Sequence, residues 1–173
     1  MPLLICSRLS SARSCLTVLW GFVCAMIIAA PILAAHSFHF LPAAVYLIFS
    51  RICHQIPERS FFIFGQPFAV CHRCSGIYFG LLVGSLIMIH SLHHSPQRRR
   101  NWLIAAIVPL FIDALLPYTG LWTSTPASRF ITGLLFGFLS SQILLRGVAE
   151  FLHEFSWRRF LSARWISREA LHE

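Results

Sequence analysis

Cys71-His72-Arg73-Cys74 sets two thiols three positions apart, and Cys53-His54 offers a third thiol and an imidazole eighteen residues upstream. A CxxC pair alone serves equally as half of a zinc knuckle or as a redox couple. Three thiolates with an imidazole make a recognised zinc complement once the intervening chain folds back. Cys53, His54, Cys71 and Cys74 are therefore the expected metal ligands, with zinc the leading metal and copper(I) compatible with soft sulfur donors. Neighbouring residues point apart, so Cys53 and His54 need not both coordinate, and His72 stands as another fourth ligand or as a group behind the ligands. Cys74 falls just before a predicted helix start, where the helix dipole and Arg73 both favour thiolate. The same three thiols also suit exchange through a mixed disulfide. A membrane thiol-disulfide oxidoreductase is thus the first alternative, and a transporter or scaffold held by a structural cysteine loop is the second.

Four further residues carry charge near these thiols. Arg59, Arg73 and Arg129 present guanidinium groups that pair with phosphate or carboxylate, and they predict an anionic headgroup or small-molecule ligand beside the cysteines. Interfacial snorkelling is the plainer explanation for any one of them. Asp113 is the only acid inside an apolar run. Charges at that depth face a partner or a cavity, so Asp113 joins the three arginines as a candidate catalytic residue, its expected partner an arginine or histidine of the same site. His90, His93 and His94 precede Pro96 and three arginines, and they read as a helix end at an interface rather than as ligands. Cys6, Cys15 and Cys24 lack comparable neighbours and read as inert.

These residues sit in a chain made for lipid. Of 173 residues, 57% are hydrophobic and 12% charged, and the mean hydropathy is +0.70, which lies outside the range of soluble domains. The expected fold is an all-α polytopic membrane bundle forming a single domain over 1–173. Spans are expected at about 15–35, 76–92, 102–121 and 130–146, since a hydrocarbon core of roughly 30 Å takes about 20 helical residues. The connector 36–75 holds a short apolar segment, FLPAAVYLIFSRI, suited to an interfacial helix. Pro57, Gly65 and Pro67 then predict a Cys/His-rich loop. Gly76, Gly80 and Gly84, with Gly133 and Gly137, have the spacing that lets membrane helices approach closely.

All fourteen cationic side chains are arginine, for a formal net charge of +8. Ten of them flank the runs on one side and only Arg51, Arg59, Arg73 and Arg129 fall on the other. The positive-inside rule then puts both termini in the cytoplasm and the 36–75 connector outside. An alternative reads the first run as a cleaved secretory signal, but it exceeds the usual length of such a core. The tail 147–173 mixes aromatic residues with arginines and reads as an amphipathic helix on the anionic inner leaflet. No nucleic-acid recognition motif accompanies that basic charge, so the expected partner is the bilayer, and the oligomeric state is left open.

At CHQIPERSF, VCHRCSGIYFG, the Asp113 region and RFITGLLFG, the chain resembles a family of small prokaryotic integral membrane proteins known as a domain of unknown function. That family's signature resembles CHQxPERSF followed by CxRCxGxYxG, a later membrane acid, and an arginine before TG. The resemblance covers roughly 40–145. It implies that Cys53, His54, Gln55, Pro57, Glu58, Arg59 and Ser60 match family positions, as do Cys71, Arg73, Cys74, Gly76, Tyr78 and Gly80, and then Asp113, Arg129 and Gly133. His72 falls at a variable position. The resemblance supports a site without naming a reaction.

Overall fold

In hydrocarbon every backbone N–H and C=O must find a partner within the chain, so long apolar runs become helices. The computed structural model describes residues 2–87, 96–120 and 123–169, with side chains over 10–87, 97–98, 100–120 and 123–152. Five α-helices occur among them: α1 (Pro2–Ala35), α2 (Phe40–Ser50), α3 (His72–Leu86), α4 (Pro96–Leu115) and α5 (Pro126–Glu169). Three stretches are long and apolar enough to cross a membrane: Ser10–Ala35, Arg100–Thr119 and Pro126–Leu152. The expected second span corresponds to α3, whose 15 residues end at Leu86, so four crossings are not seen among the described residues. His90, His93 and His94 lie outside the described residues. The expected tail is no separate element, because α5 runs unbroken through Glu169.

The connector differs most from expectation. FLPAAVYLIFS forms α2, an 11-residue apolar helix, but the segment expected as a loop is an antiparallel hairpin of β1 (Ser60–Ile63) and β2 (Gln66–Cys71). Ile63 pairs with Gln66 and Phe62 with Pro67. The two turn residues, Phe64 and Gly65, both have positive φ, 50° and 75°. That is the turn geometry whose twist matches paired strands. Pro67 is tolerated because each strand of a two-stranded ribbon is an edge. A 3₁₀ turn over Pro57–Arg59 leads into β1, with proline at its start.

The hairpin and α2 share a core with the C-terminal part of α1. Ile27 and Ala30 of α1, Val45 and Phe49 of α2, and Cys53, Ala69 and Val70 form one buried cluster, with Cys71, Cys74 and Tyr78 packed against it. The Tyr46 hydroxyl donates to the Pro67 carbonyl and ties α2 to β2.

Helix α3 lies against α5 along a glycine seam. A Cβ at Gly80 would collide with the Leu134 carbonyl and one at Gly133 with the Arg73 carbonyl, both backbone atoms. Glycine is required where two backbones meet so closely, and packing of this kind is the main drive for helix association in lipid. The seam fixes the start of α3, and with it the CxxC. The start of α5 is fixed in turn by a reciprocal cap, in which the Ser128 amide donates to Thr125 Oγ1 at 3.1 Å and the Thr125 amide to Ser128 Oγ at 3.0 Å. Pro126 occupies the first helical position, where a missing N–H costs nothing.

Candidate metal centre

Cys71 ends β2 and is the N-cap of α3, so the strand delivers it and the helix carries Cys74 one turn further on the same face. Cys53 follows α2, whose last turn closes through the Cys53 amide on the Phe49 carbonyl at 2.8 Å. The Cys71 amide donates to Cys53 Sγ at 3.2 Å. The result is a three-sulfur group: the Sγ atoms of Cys53, Cys71 and Cys74 all lie within 4.8 Å of one another. Cys53 is buried and the other two half-buried.

Gln55 explains how the short return from Cys53 is held. Its backbone sits in the left-handed region, at a φ of 48°, which an unbranched residue tolerates only when its surroundings hold it there. Its Nε2 donates to the carbonyls of Tyr46 and Ala69, both at 2.8 Å. One amide therefore staples the turn to both α2 and β2.

The electrostatics of the group follow from its contacts. The Cys71 thiol is held far below the free-thiol range because its thiolate accepts hydrogen bonds from the sulfurs of Cys53 and Cys74, with the Cys74 and Arg73 amides at the helix start adding to this against the opposing cost of burial. Three neighbouring thiols cannot all ionise alone; a cation among them removes that conflict.

A cleft of about 220 Å³ opens on the sulfurs, with Arg59, Arg73, Arg129 and His54 among its lining residues. His54 is exposed and stands outside the three-sulfur group, so the structure brings together three of the four expected ligands and leaves the fourth at the rim. His72 is turned away under the hairpin, its ring 4.4 Å from that of Phe61 in an edge contact.

Asp113 is buried, and its Oδ2 accepts from Arg73 Nη2 at 2.6 Å. Its Oδ1 accepts from Ser128 Oγ at 2.7 Å and from Ser124 Oγ at 2.9 Å. Ser124 Oγ in turn accepts from Arg129 Nε at 2.9 Å. One carboxylate thus orients two of the cleft's three guanidinium groups, Arg73 directly and Arg129 through a serine. Ser124 and Ser128 have no signal as site residues in the sequence beyond the Ser/Thr-rich run TSTPAS at the start of α5, whereas Gln55 enters there only as a matched family position.

Comparison with known proteins agrees with a membrane protein. The chain is 45% identical over 101 residues to an uncharacterised protein of Methanocaldococcus jannaschii, a match covering 57% of this chain and 65% of that protein. It is 34% identical over 90 residues to an uncharacterised protein of Methanothermobacter thermautotrophicus, covering 52% of this chain and 81% of the other. The chain thus spans just under two thirds of the length of the first of these relatives. No solved structure matches it. The family model described as "Predicted membrane protein (DUF2085)" matches residues 53–143, the stretch from the first cysteine of the sulfur group through Asp113 and the glycine seam, and the chain belongs to that family.

Proposed function

We propose that Cys53, Cys71 and Cys74 hold a metal ion, zinc first and copper(I) second, whose remaining coordination position opens on the arginine-lined cleft and takes an anionic ligand. The observation that carries this reading is the third sulfur. A disulfide couple uses two thiols and an attacking third needs only to reach one of them, whereas here all three sulfurs lie within 4.8 Å of one another, as ligands of one ion do. Three protein ligands with an open position is the arrangement of zinc sites that bind or activate a ligand, while four protein ligands close a site. His54, expected among the ligands, stands at the cleft rim, where it can meet a bound ligand.

Charge balance favours an anion in the fourth position. Three thiolates and a divalent ion sum to one negative charge, and Asp113 neutralises Arg73. Arg59 and Arg129 then leave the cleft net positive, and their guanidinium forks fit oxyanions. The arginine asymmetry along the chain supports a four-span arrangement with α3 as the span beside α1 and α5 and with this cleft toward the exterior face of the cytoplasmic membrane. The basic tail then lies on the inner leaflet.

The test is metal content. Protein purified without chelator should carry about one metal ion per chain, lost in Cys53→Ser, Cys71→Ser and Cys74→Ser and kept in Cys15→Ser. A metal-free protein with a reducible Cys71 to Cys74 bond would overturn this reading in favour of a thiol-disulfide oxidoreductase, the reading that the helix-start CxxC favours.

A further inference from the structure

Three helices independently report how deep the sulfur group lies. Along α1 the core that receives Cys53, Cys71 and Cys74 is built on Ile27 and Ala30. Ala30 stands five residues before the helix end at Ala35, about 8 Å of helix. On the α4 side, Arg73 is bonded to Asp113, six residues before the end of the apolar stretch at Thr119, or about 9 Å. On α5, the Arg73 carbonyl packs against Gly133, seven residues in from Pro126, or about 10 Å. The contacts between α1 and α3 run antiparallel in agreement: Thr17 Oγ1 donates to Ser85 Oγ at 3.1 Å, and Trp20 meets Tyr78.

The mouth of the cleft is apolar to match. Ile52, Ile56 and Ile77 line it beside the charged residues, and Ile52 is 67% exposed. Continuous with Ile52, α2 presents Leu47 and Ile48 outward, both 57% exposed or more. In water such a rim has no use, but beside lipid it forms a path for a hydrocarbon chain. Charged side chains at this depth cost free energy unless they serve a partner or ligand. Arg73 has such a partner in Asp113, and Arg129 is held by a neutral serine, with its charge left for the cleft.

From this geometry we infer that the sulfur centre lies recessed within the outer part of the membrane rather than on its surface, and that its ligand is membrane-borne: an oxyanion headgroup of the phosphate type on an apolar tail, entering from the side past Ile52 and Ile56. The inference rests on the metal reading and deepens it. The headgroup meets the metal and Arg129, Arg59 guides it at the rim, and the tail stays in lipid.

The test uses the full chain, loaded with cobalt(II) and placed in nanodiscs. Thiolate-to-cobalt charge-transfer absorption reports the metal, and the visible d–d bands report its open position. Three samples are compared: discs of digalactosyldiacylglycerol, whose headgroup carries no phosphate, the same discs with phosphatidic acid, and the digalactosyldiacylglycerol discs with inorganic phosphate at matched total phosphate. The expected result is a d–d shift with phosphatidic acid only, weakened at least tenfold in apparent affinity by Arg129→Gln while the charge-transfer band stays. An equal shift with inorganic phosphate would assign the ligand to the aqueous phase and overturn lateral entry. A charge-transfer band with no shift in either sample would overturn the oxyanion ligand. Absence of the charge-transfer band would overturn the metal reading itself.

Discussion

The two ends of α3 pack against the same helix, α5, yet treat their polar groups in opposite ways. At the end away from the cysteines, polar side chains close on one another. Gln142 Nε2 donates to the carbonyls of Gly84 at 2.6 Å and Ile87 at 2.7 Å, and Ser85 receives Thr17 while donating to the Leu82 carbonyl. At the cysteine end, three sulfurs face a cleft, two guanidinium groups are steered toward it by Asp113, and the buried Arg73 Nε has no hydrogen-bond partner among the described residues. The closed end behaves as structural glue between membrane helices. The open end keeps donors and sulfurs facing the cleft at a cost in stability, as the proposed binding site requires.

The largest effect should come from the seam that both ends share. Gly80→Leu drives a side chain into the Leu134 backbone, where no rotamer relieves the clash. It should abolish a monodisperse, thermally cooperative protein in detergent, whereas Gly147→Ala, with nothing within 4 Å of its new Cβ, should leave the melting temperature unchanged. Next comes the open end. Asp113→Asn removes the ion-pair partner of Arg73 in a buried setting, for a loss of about 3 kcal/mol read as a fall in melting temperature. Metal content should survive, because Asp113 touches none of the sulfurs, while cobalt d–d responses to anions should weaken with the loss of arginine orientation.

A smaller effect is expected at the closed end. Gln142→Leu forfeits two hydrogen bonds to carbonyls at the C-terminal end of α3, where the helix supplies no amide partner among the described residues, for about 2 kcal/mol. Metal content and anion response should both be untouched. If Gln142→Leu changed the anion response as much as Asp113→Asn, the division of labour between the two ends would be wrong.

The smallest predicted signal is a pH dependence in metal-free protein. Hydrogen bonds from Cys53 and Cys74 hold the Cys71 thiol below the free-thiol range. Its thiolate therefore persists as pH falls, and the stability it contributes is present above the unfolded thiol's pKa and is lost only as pH drops through the lower folded value. Alkylation at Cys71, followed by mass spectrometry, should change little between pH 8 and pH 6, whereas a free cysteine slows about a hundredfold over that interval. A Cys71 rate that falls in step with the free thiol would show that the hydrogen bonds do not form.

Much of this was legible from residue types. Composition and apolar runs predict a helical membrane protein because lipid leaves few alternatives, and glycine spacing predicts the close helix pair. Cys53, Cys71 and Cys74 stand out because thiols paired with a CxxC have a short list of uses. The hairpin was obscured by Gly65 and Pro67, which read as loop breakers; the positive φ at Phe64 is enforced by the fold rather than by residue preference. Ser124 and Ser128 carry no local pattern that points to Asp113, since their meeting depends on how α4 returns beside α5. The position of His54 also escaped the sequence. Adjacency to Cys53 promised a ligand, but the chain leaves α2 with Cys53 turned inward and His54 outward.

X-ray absorption at the zinc edge of the purified, zinc-loaded protein reads the proposed centre itself, a metal held by three thiolates with one position open to the cleft. The expected zinc shell has three sulfur scatterers at about 2.3 Å and one light-atom scatterer at about 2.0 Å, unchanged in His54→Ala. A zinc shell whose light atom disappears in His54→Ala would show a site closed by the protein itself, and a shell with fewer than three sulfurs would contradict the three-thiolate centre.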